Sequence, residues 1–293
     1  MSALSPSGTG LVTNAMSVDV EDYFHVHALA PHFPRHEWDR VSPRVGDSID
    51  RTLALFERHG VHATFFTLGW VAQRYPEHVR RIAAAGHEIA SHGYAHHRVT
   101  ELDARDFRAD LARTRALLED ITGRAVRGYR APSYSIGASN RWALDVLEQE
   151  GYGYSSSIYP IRHDHYGMPD GPRHAFHPTP TGALLEVPVS TVEWGGRRLP
   201  CGGGGYFRLY PYALSRWALR RVNRLEGRPA VFYFHPWELD PGQPRVRAAA
   251  PRTRVRHYLN LARMEARLGH LLSDFAWDRL DRVFLPAAQE TAA

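Results

Sequence analysis

The chain has 293 residues, of which 43% are hydrophobic and 23% charged, with a formal charge of +5 and a pI near 9.5. This is the composition of a globular protein of one large domain or two small ones. A single cysteine, Cys201, excludes an internal disulfide and a cysteine-rich zinc site, and the lack of any lysine excludes a Schiff-base lysine and a phosphate loop ending in Gly-Lys-Ser/Thr.

All 36 basic residues are therefore arginine. They are scattered over predicted helices rather than run together, which speaks against a nucleic-acid partner. Compositional bias of the source is the plain account of them, and an anionic glycan the functional one. No secretory signal stands in the first 24 residues, and no apolar run approaches the ~18–20 residues of a membrane span. The expectation is a cytoplasmic protein with membrane-surface contact left open.

Residues 1–14 are rich in Ser, Gly and Thr and read as a mobile tail. Ala15–Val20 reads as a strand that ends in Asp19-Val20-Glu21-Asp22. Residues 25–46 hold several Pro and His and read as a long loop. Asp47 or Ser48 is placed to cap a helix through His59, with Ile49, Leu53 and Phe56 on one face and Gly60 as its stop. Val61–Leu68 is a buried strand by its β-branched and aromatic content. Pro76–Ala85 is helical, and the next strand runs through Ile89 and Ala90 into His92.

Thr100 opens a long helix, with Asp103 in the place of a shortened capping box and Gly123 at its end. Val126–Arg130 is a strand, Ser139–Glu150 a helix, and Tyr152–Ile158 a strand. Residues 159–182 read as loop. Leu184–Val192 is a strand with Pro188 inside, which implies an edge or a bulge. After the glycine run Gly202–Gly205, Pro211–Leu225 is a helix with Pro at its start. Ala230–His235 is a buried strand, and 252–274 a single Arg-rich amphipathic helix. Strands alternating with helices imply parallel strands with helical crossovers, in an open α/β sheet or a barrel. Chemistry in such folds gathers where strands finish, and Asp19, His92, Arg130 and His235 all stand there.

His92 and His96 lie four positions apart, in Ser-His-Gly-Tyr-Ala-His. Spacing alone says little, because His32 and His36 repeat it around Pro34. With one acid of the Asp19, Glu21, Asp22 cluster the pair makes a two-His-one-carboxylate site with open positions for water and substrate. Zinc held there would lower the pKa of its water to about 7, and an unligated carboxylate could take the proton. The bland alternative is that the acids are solvated or cap a loop. Arg130 is able to hold that carboxylate through a bidentate pair. His235 ends the most apolar strand and is read as a general acid or as a satisfied core residue. Gly202–Gly205 is turn filler, or it lets backbone approach a sugar beside Tyr206, Phe207 or Trp194.

In order, Asp19 with Glu21/Asp22, His92-Gly-Tyr-Ala-His96, Arg130-Ala-Pro132 and Phe232-Tyr-Phe-His235 resemble the motifs of the polysaccharide deacetylases, the NodB-homology domains of carbohydrate esterase family 4. Asn14–Phe24, Gly203-Gly-Gly-Tyr-Phe-Arg208 and Phe234-His-Pro-Trp-Glu-Leu239 are similar to the branch found with exosortase-linked exopolysaccharide clusters. The resemblance implies a distorted (β/α) barrel of the NodB type with a family-specific C-terminal extension. It implies one domain over 15–285, with a NodB-like part at about 15–155 and the extension at about 156–285. It further implies hydrolysis of N-acetyl groups from amino sugars of a polysaccharide or oligosaccharide, with a divalent metal, usually zinc. Mapped onto this chain, Asp19 is the general base, His92 and His96 are metal ligands, Arg130 orients Asp19, and His235 is the general acid.

Two departures stand out. The family's adjacent pair of Asp is here interrupted by Val20, so the third ligand is Glu21 or Asp22, with strand alternation favouring Glu21. The aromatic after the Arg-x-Pro motif comes one position late, as Tyr134, leaving the oxyanion-facing backbone N–H at Ser133 or Tyr134. A non-haem iron oxygenase, a catalytically silent carbohydrate-binding relative and a small-amide hydrolase are the competing readings.

Overall fold

The structure, a computed structural model, describes residues 12–164 and 166–285. The tail expected over 1–14 lies outside the described residues for 1–11, while Thr13 and Asn14 already belong to the first strand.

The expected alternation produces one curled parallel sheet. Its strands are β1 (Thr13–Val20), β2 (Thr64–Thr67), β3 (Glu88–Ser91), β4 (Gly128–Tyr129), β5 (Tyr154–Ser155) and β6 (Leu185–Glu186), paired in that order. A separate antiparallel hairpin follows, β7 (Thr191–Trp194) and β8 (Arg197–Pro200). The chain then returns to the sheet. β9 (Val231–Phe234) pairs with Ala15–Val18, on the edge of β1 opposite β2, and β10 (Ala276–Asp278) pairs with Thr13–Ala15. Backbone bonds curl the sheet toward closure. Ser190, just past β6, donates to the Val231 carbonyl at 3.3 Å, and Tyr233 donates to the Gly202 carbonyl at 2.8 Å. The result is a distorted (β/α) barrel.

Alternation along β1 sorts its side chains into two layers. Met16, Val18 and Val20 face outward into the large core shared with the helices. Ala15 faces inward with Phe66, Ala90, Tyr154 and Val231. Ser17 and Asp19 continue that inward row toward the strand ends, where the filling becomes polar.

The helices are α1 (Val45–His59), α2 (Gly69–Arg74), α3 (Pro76–Ala84), α4 (Ala104–Thr122), α5 (Trp142–Gln149), α6 (Gly204–Leu209), α7 (Tyr212–Leu225), α8 (Pro251–Tyr258), α9 (Leu261–Asp274) and α10 (Leu280–Phe284). Several differ from expectation for identifiable reasons. Neither Asp47 nor Ser48 caps α1. The Asp22 carboxylate does so from afar, accepting from the N–H groups of Arg44 and Val45 at 2.6 and 2.9 Å. In α4, Asp103 is itself the cap, accepting from Asp106 N–H at 2.8 Å, and Thr100 lies in the preceding turn. Pro188 ends β6 altogether, so the expected strand over 184–192 is divided between two sheets. The expected helix over 252–274 breaks at Asn260, whose φ is 54°. The long loop over 25–46 contains two 3-10 turns, His27–His32 and Arg35–Arg40.

Candidate active site

Asp19 lies near the end of β1, and Arg130 directly follows β4. Both are buried. Arg130 donates through one Nη1 to Asp19 Oδ1 at 2.6 Å and to Ser17 Oγ at 2.9 Å. Its Nε reaches the Ser156 carbonyl and its Nη2 the Ser156 hydroxyl. The bidentate pair expected with Asp19 is thus replaced by a single contact, because the rest of the guanidinium is spent on Ser17 and Ser156. The plane lies 4.0 Å above the Phe66 ring. Removing one partner of such a buried pair strands the other, which typically costs about 3–5 kcal/mol.

Two residues beyond Asp19, Glu21 enters the same polar end. Its Oε1 is 3.0 Å from His92 Nε2 and 3.0 Å from His96 Nε2. One atom from each of the three residues lies within 4.8 Å of the others, and all three residues are buried. His92 Nδ1 is 2.8 Å from the Arg130 carbonyl, an atom that only accepts. Nδ1 therefore donates to that carbonyl, which leaves Nε2 turned toward the Glu21 carboxylate. Two imidazole nitrogens and a carboxylate oxygen are a donor set that could hold a divalent metal, and the outer ring nitrogen of His92 is fixed by a carbonyl as is usual for metal-bound histidine. Burial alone would raise the Glu21 carboxyl, but His96, His235 and the bond to His92 hold it well below the usual carboxylate range.

Asp22, the other acid considered as third ligand, points elsewhere. Besides capping α1 it accepts from Tyr23 N–H at 2.8 Å, so it is a structural residue and stands outside the cluster. His235 follows β9 and is partly exposed, with its Nε2 3.8 Å from Glu21 Oε1. Its Nδ1 donates to Glu238 Oε1 at 3.0 Å, which turns Nε2 inward. Burial would lower the imidazole, but Glu21 and the Glu238 bond outweigh it and raise it to about 9.

Asp19, Glu21, His96 and His235 line one cavity of about 360 Å³. Ser133, Tyr134 and Tyr206, the residues read as substrate contacts, line it as well. Ser133 and Tyr134 both have positive φ, 54° and 49°, a strained turn of the kind found at functional sites. The Tyr134 N–H is committed to the Ala131 carbonyl at 3.0 Å. Trp194 does not line the cavity. It stands on the β7–β8 hairpin, 62% exposed, against Trp217. An aromatic near a glycine run in sequence was carried away from the site by the hairpin that separates them.

Sequence reasoning missed Glu238 and Arg208. Glu238 was present as the third residue after His235, and a carboxylate at that offset from a histidine was the available signal. Arg208 closes the Gly203–Arg208 motif, but nothing local announces its partner, and it reaches Glu238 from 30 positions away at 2.6 Å. The glycine run is only half loop: Gly204 and Gly205 open α6, and Gly205 lines the cavity. A Cβ on Gly204 would collide with the Glu238 carboxylate, and one on Gly203 would lie 2.9 Å from the Tyr233 ring.

Comparison with known proteins places this geometry in context. Residues 38–155 match the polysaccharide deacetylase family, and residues 156–285 match a domain of unknown function, DUF3473. A peptidoglycan deacetylase of Helicobacter pylori is 31% identical over 110 residues, 38% of this chain and 36% of that protein. A chitooligosaccharide deacetylase of Sinorhizobium fredii is 38% identical over 96 residues, 32% of this chain and 42% of that protein. The chain thus spans less than half the length of these relatives. A crystal structure of a candidate polysaccharide deacetylase from Mycobacterium smegmatis shares the fold, with a TM-score of 0.61 at 21% identity over 96% of this chain and 91% of that one.

Proposed function

We propose, from the match of residues 38–155 to the polysaccharide deacetylases, that the chain removes N-acetyl groups from amino sugars of a polysaccharide or its oligosaccharides. What supports this reading above all is that Asp19, Glu21, His96 and His235 meet in one cavity at the strand ends. The reaction adds water across the amide, breaking the C–N bond and giving acetate and a free amine.

Glu21, His92 and His96 are assigned to a divalent cation, zinc by the nature of the donors, which when bound supplies Lewis acidity toward a water and the acetamide oxygen. Asp19 accepts the proton of the attacking water. Arg130 keeps the Asp19 carboxylate aimed, and its other donors are anchored so that it cannot follow a moving substrate. His235 delivers a proton from Nε2 to the departing nitrogen, while Glu238 holds Nδ1. Of the two residues at the strained turn, Ser133 is the candidate oxyanion donor, since the Tyr134 N–H is already taken. Tyr134 and Tyr206 are assigned to the sugar as apolar faces with polar tips. The exopolysaccharide setting rests on the motif resemblance alone.

Acetate release from N-acetylated oligosaccharides tests the assignment. Asp19→Asn and His235→Ala are each expected to lose roughly 10²–10⁴-fold in rate while remaining folded. Near-full activity in either variant would refute the role given to that residue.

A further inference from the structure

Arg208 sits on the last turn of α6 and is only 2% exposed. Its Nε donates to Glu238 Oε2 at 2.6 Å. Its Nη1 donates to the carbonyls of His257 and Leu259 at 2.9 and 2.7 Å, and its Nη2 to that of Arg256 at 3.2 Å. Those carbonyls stand at the C-terminal end of α8, where a helix leaves its last acceptors without intrahelical donors. The reversal at Asn260 ends α8 there, and Asn260 Nδ2 returns a bond to the Arg208 carbonyl at 2.8 Å.

On its other side the same ion pair meets the active site. Glu238 Oε1 accepts from both the backbone N–H and the Nδ1 of His235, each at 3.0 Å. Trp237 lies stacked between the His235 and His257 rings, with centroids 5.2 and 4.3 Å away. His257 in turn is held by Gln243 at 2.6 Å. Arg256, His257 and Leu259, whose carbonyls Arg208 grips, themselves line the cavity. Three sequence features without another account converge here: the glycine run that leaves room for the Glu238 carboxylate, the buried arginine, and the break that divides the predicted 252–274 helix.

We propose that Arg208 is a positioning residue of this site, orienting His235 through Glu238 and fixing the α8 wall of the cavity through the carbonyls at its broken end. The proposal rests on the deacetylase reading for what His235 does, but not for how it is held. A planar guanidinium is needed because one rigid fork must serve a carboxylate and three carbonyls, which an ammonium cannot match. It also gives a task to a stretch matched only to a family of unknown function: the 156–285 region supports His235 and walls its cavity.

Two readouts on the full chain decide the matter. The first is nitrogen-15 NMR of histidine in the metal-free protein, with the His235 signal assigned by its loss in His235→Gln. The wild type should show an Nδ1–H resonance protected by its bond to Glu238. That signal should be lost in Glu238→Gln and displaced or broadened in Arg208→Met. The second is steady-state kinetics with the metal restored. Glu238→Gln should lower kcat by about 10²-fold at nearly constant KM, and Arg208→Met should lower kcat similarly and raise KM as well. In the double variant kcat should fall no further than in the worse single one, because the two act through one ring. If Arg208→Met does not fold, Arg208→Lys keeps the charge without the fork and should move both readouts in the same directions. A folded Arg208 variant with the wild-type His235 signal and wild-type kcat overturns the proposal. Absence of turnover in the wild type would sink the deacetylase reading instead, and the NMR comparison would still decide the role of Arg208.

Discussion

Glu21 and Asp22 are adjacent carboxylates with opposite surroundings. Glu21 continues the inward row of Ser17 and Asp19 and meets two imidazoles. Asp22 turns away and closes the first turn of α1. The alternation of β1 made the choice legible in sequence, although the helix that Asp22 caps starts more than twenty residues later and gave no local sign of its cap. Asp22→Ala is therefore expected to cost about 1–2 kcal/mol of stability, read by chemical denaturation, while zinc affinity is retained. Glu21→Gln should do the reverse, weakening zinc by more than about 100-fold in calorimetric titration with little change in the denaturation midpoint. Exchange of these two outcomes would return the ligand assignment to Asp22. Asp19, His92, Arg130 and His235 were readable as neighbours because each stands at or just past the end of a strand, and His96 follows from its spacing to His92. Arg208 was not, because it reaches Glu238 from 30 positions back, and Trp194 stands apart from the cavity on its hairpin.

Elements followed their sequence signals where those signals are local. Gly60 and Gly123 end α1 and α4 in the left-handed conformation, with φ of 61° and 64°. Signals failed where a distant side chain decides. The N-terminal mouth of the barrel offers a further test, because β3 begins there with a buried carboxyl. Glu88 accepts from Thr64 Oγ1 and Tyr154 O–H at 2.5 and 3.0 Å. Burial, joined by the charge of Asp281, holds it above the ordinary carboxylate range. In the unfolded chain Glu88 loses its proton at the ordinary pKa, whereas in the folded chain it keeps that proton to higher pH. Its contribution is thus complete in acid and declines as pH rises toward its folded value. Between about pH 5 and pH 9 the wild type should lose stability relative to Glu88→Gln, seen as a converging and then crossing pair of urea midpoints. A constant difference between the two proteins across that range would show that Glu88 is ionised in the fold.

At the scale of the whole molecule, the two halves share one sheet. β9 pairs along Ala15–Val18, next to the residues that end in Asp19 and Glu21, and carries His235 to the same end of the barrel. The half matched to the polysaccharide deacetylases supplies Asp19's partner Arg130 and the two imidazoles that face Glu21. The other half supplies His235, its support and much of the cavity wall. Among the described residues no helix is long and apolar enough to cross a membrane. The central claim is that this shared end performs metal-assisted amide hydrolysis on an amino sugar. Its most direct test is simultaneous measurement of acetate and free amine from N-acetylated oligosaccharides, before chelation, after it, and after zinc is returned. The account predicts equal amounts of both products, their loss on chelation, and their recovery with zinc. Protein that binds zinc yet releases neither product across a broad set of N-acetylated glycans would contradict it.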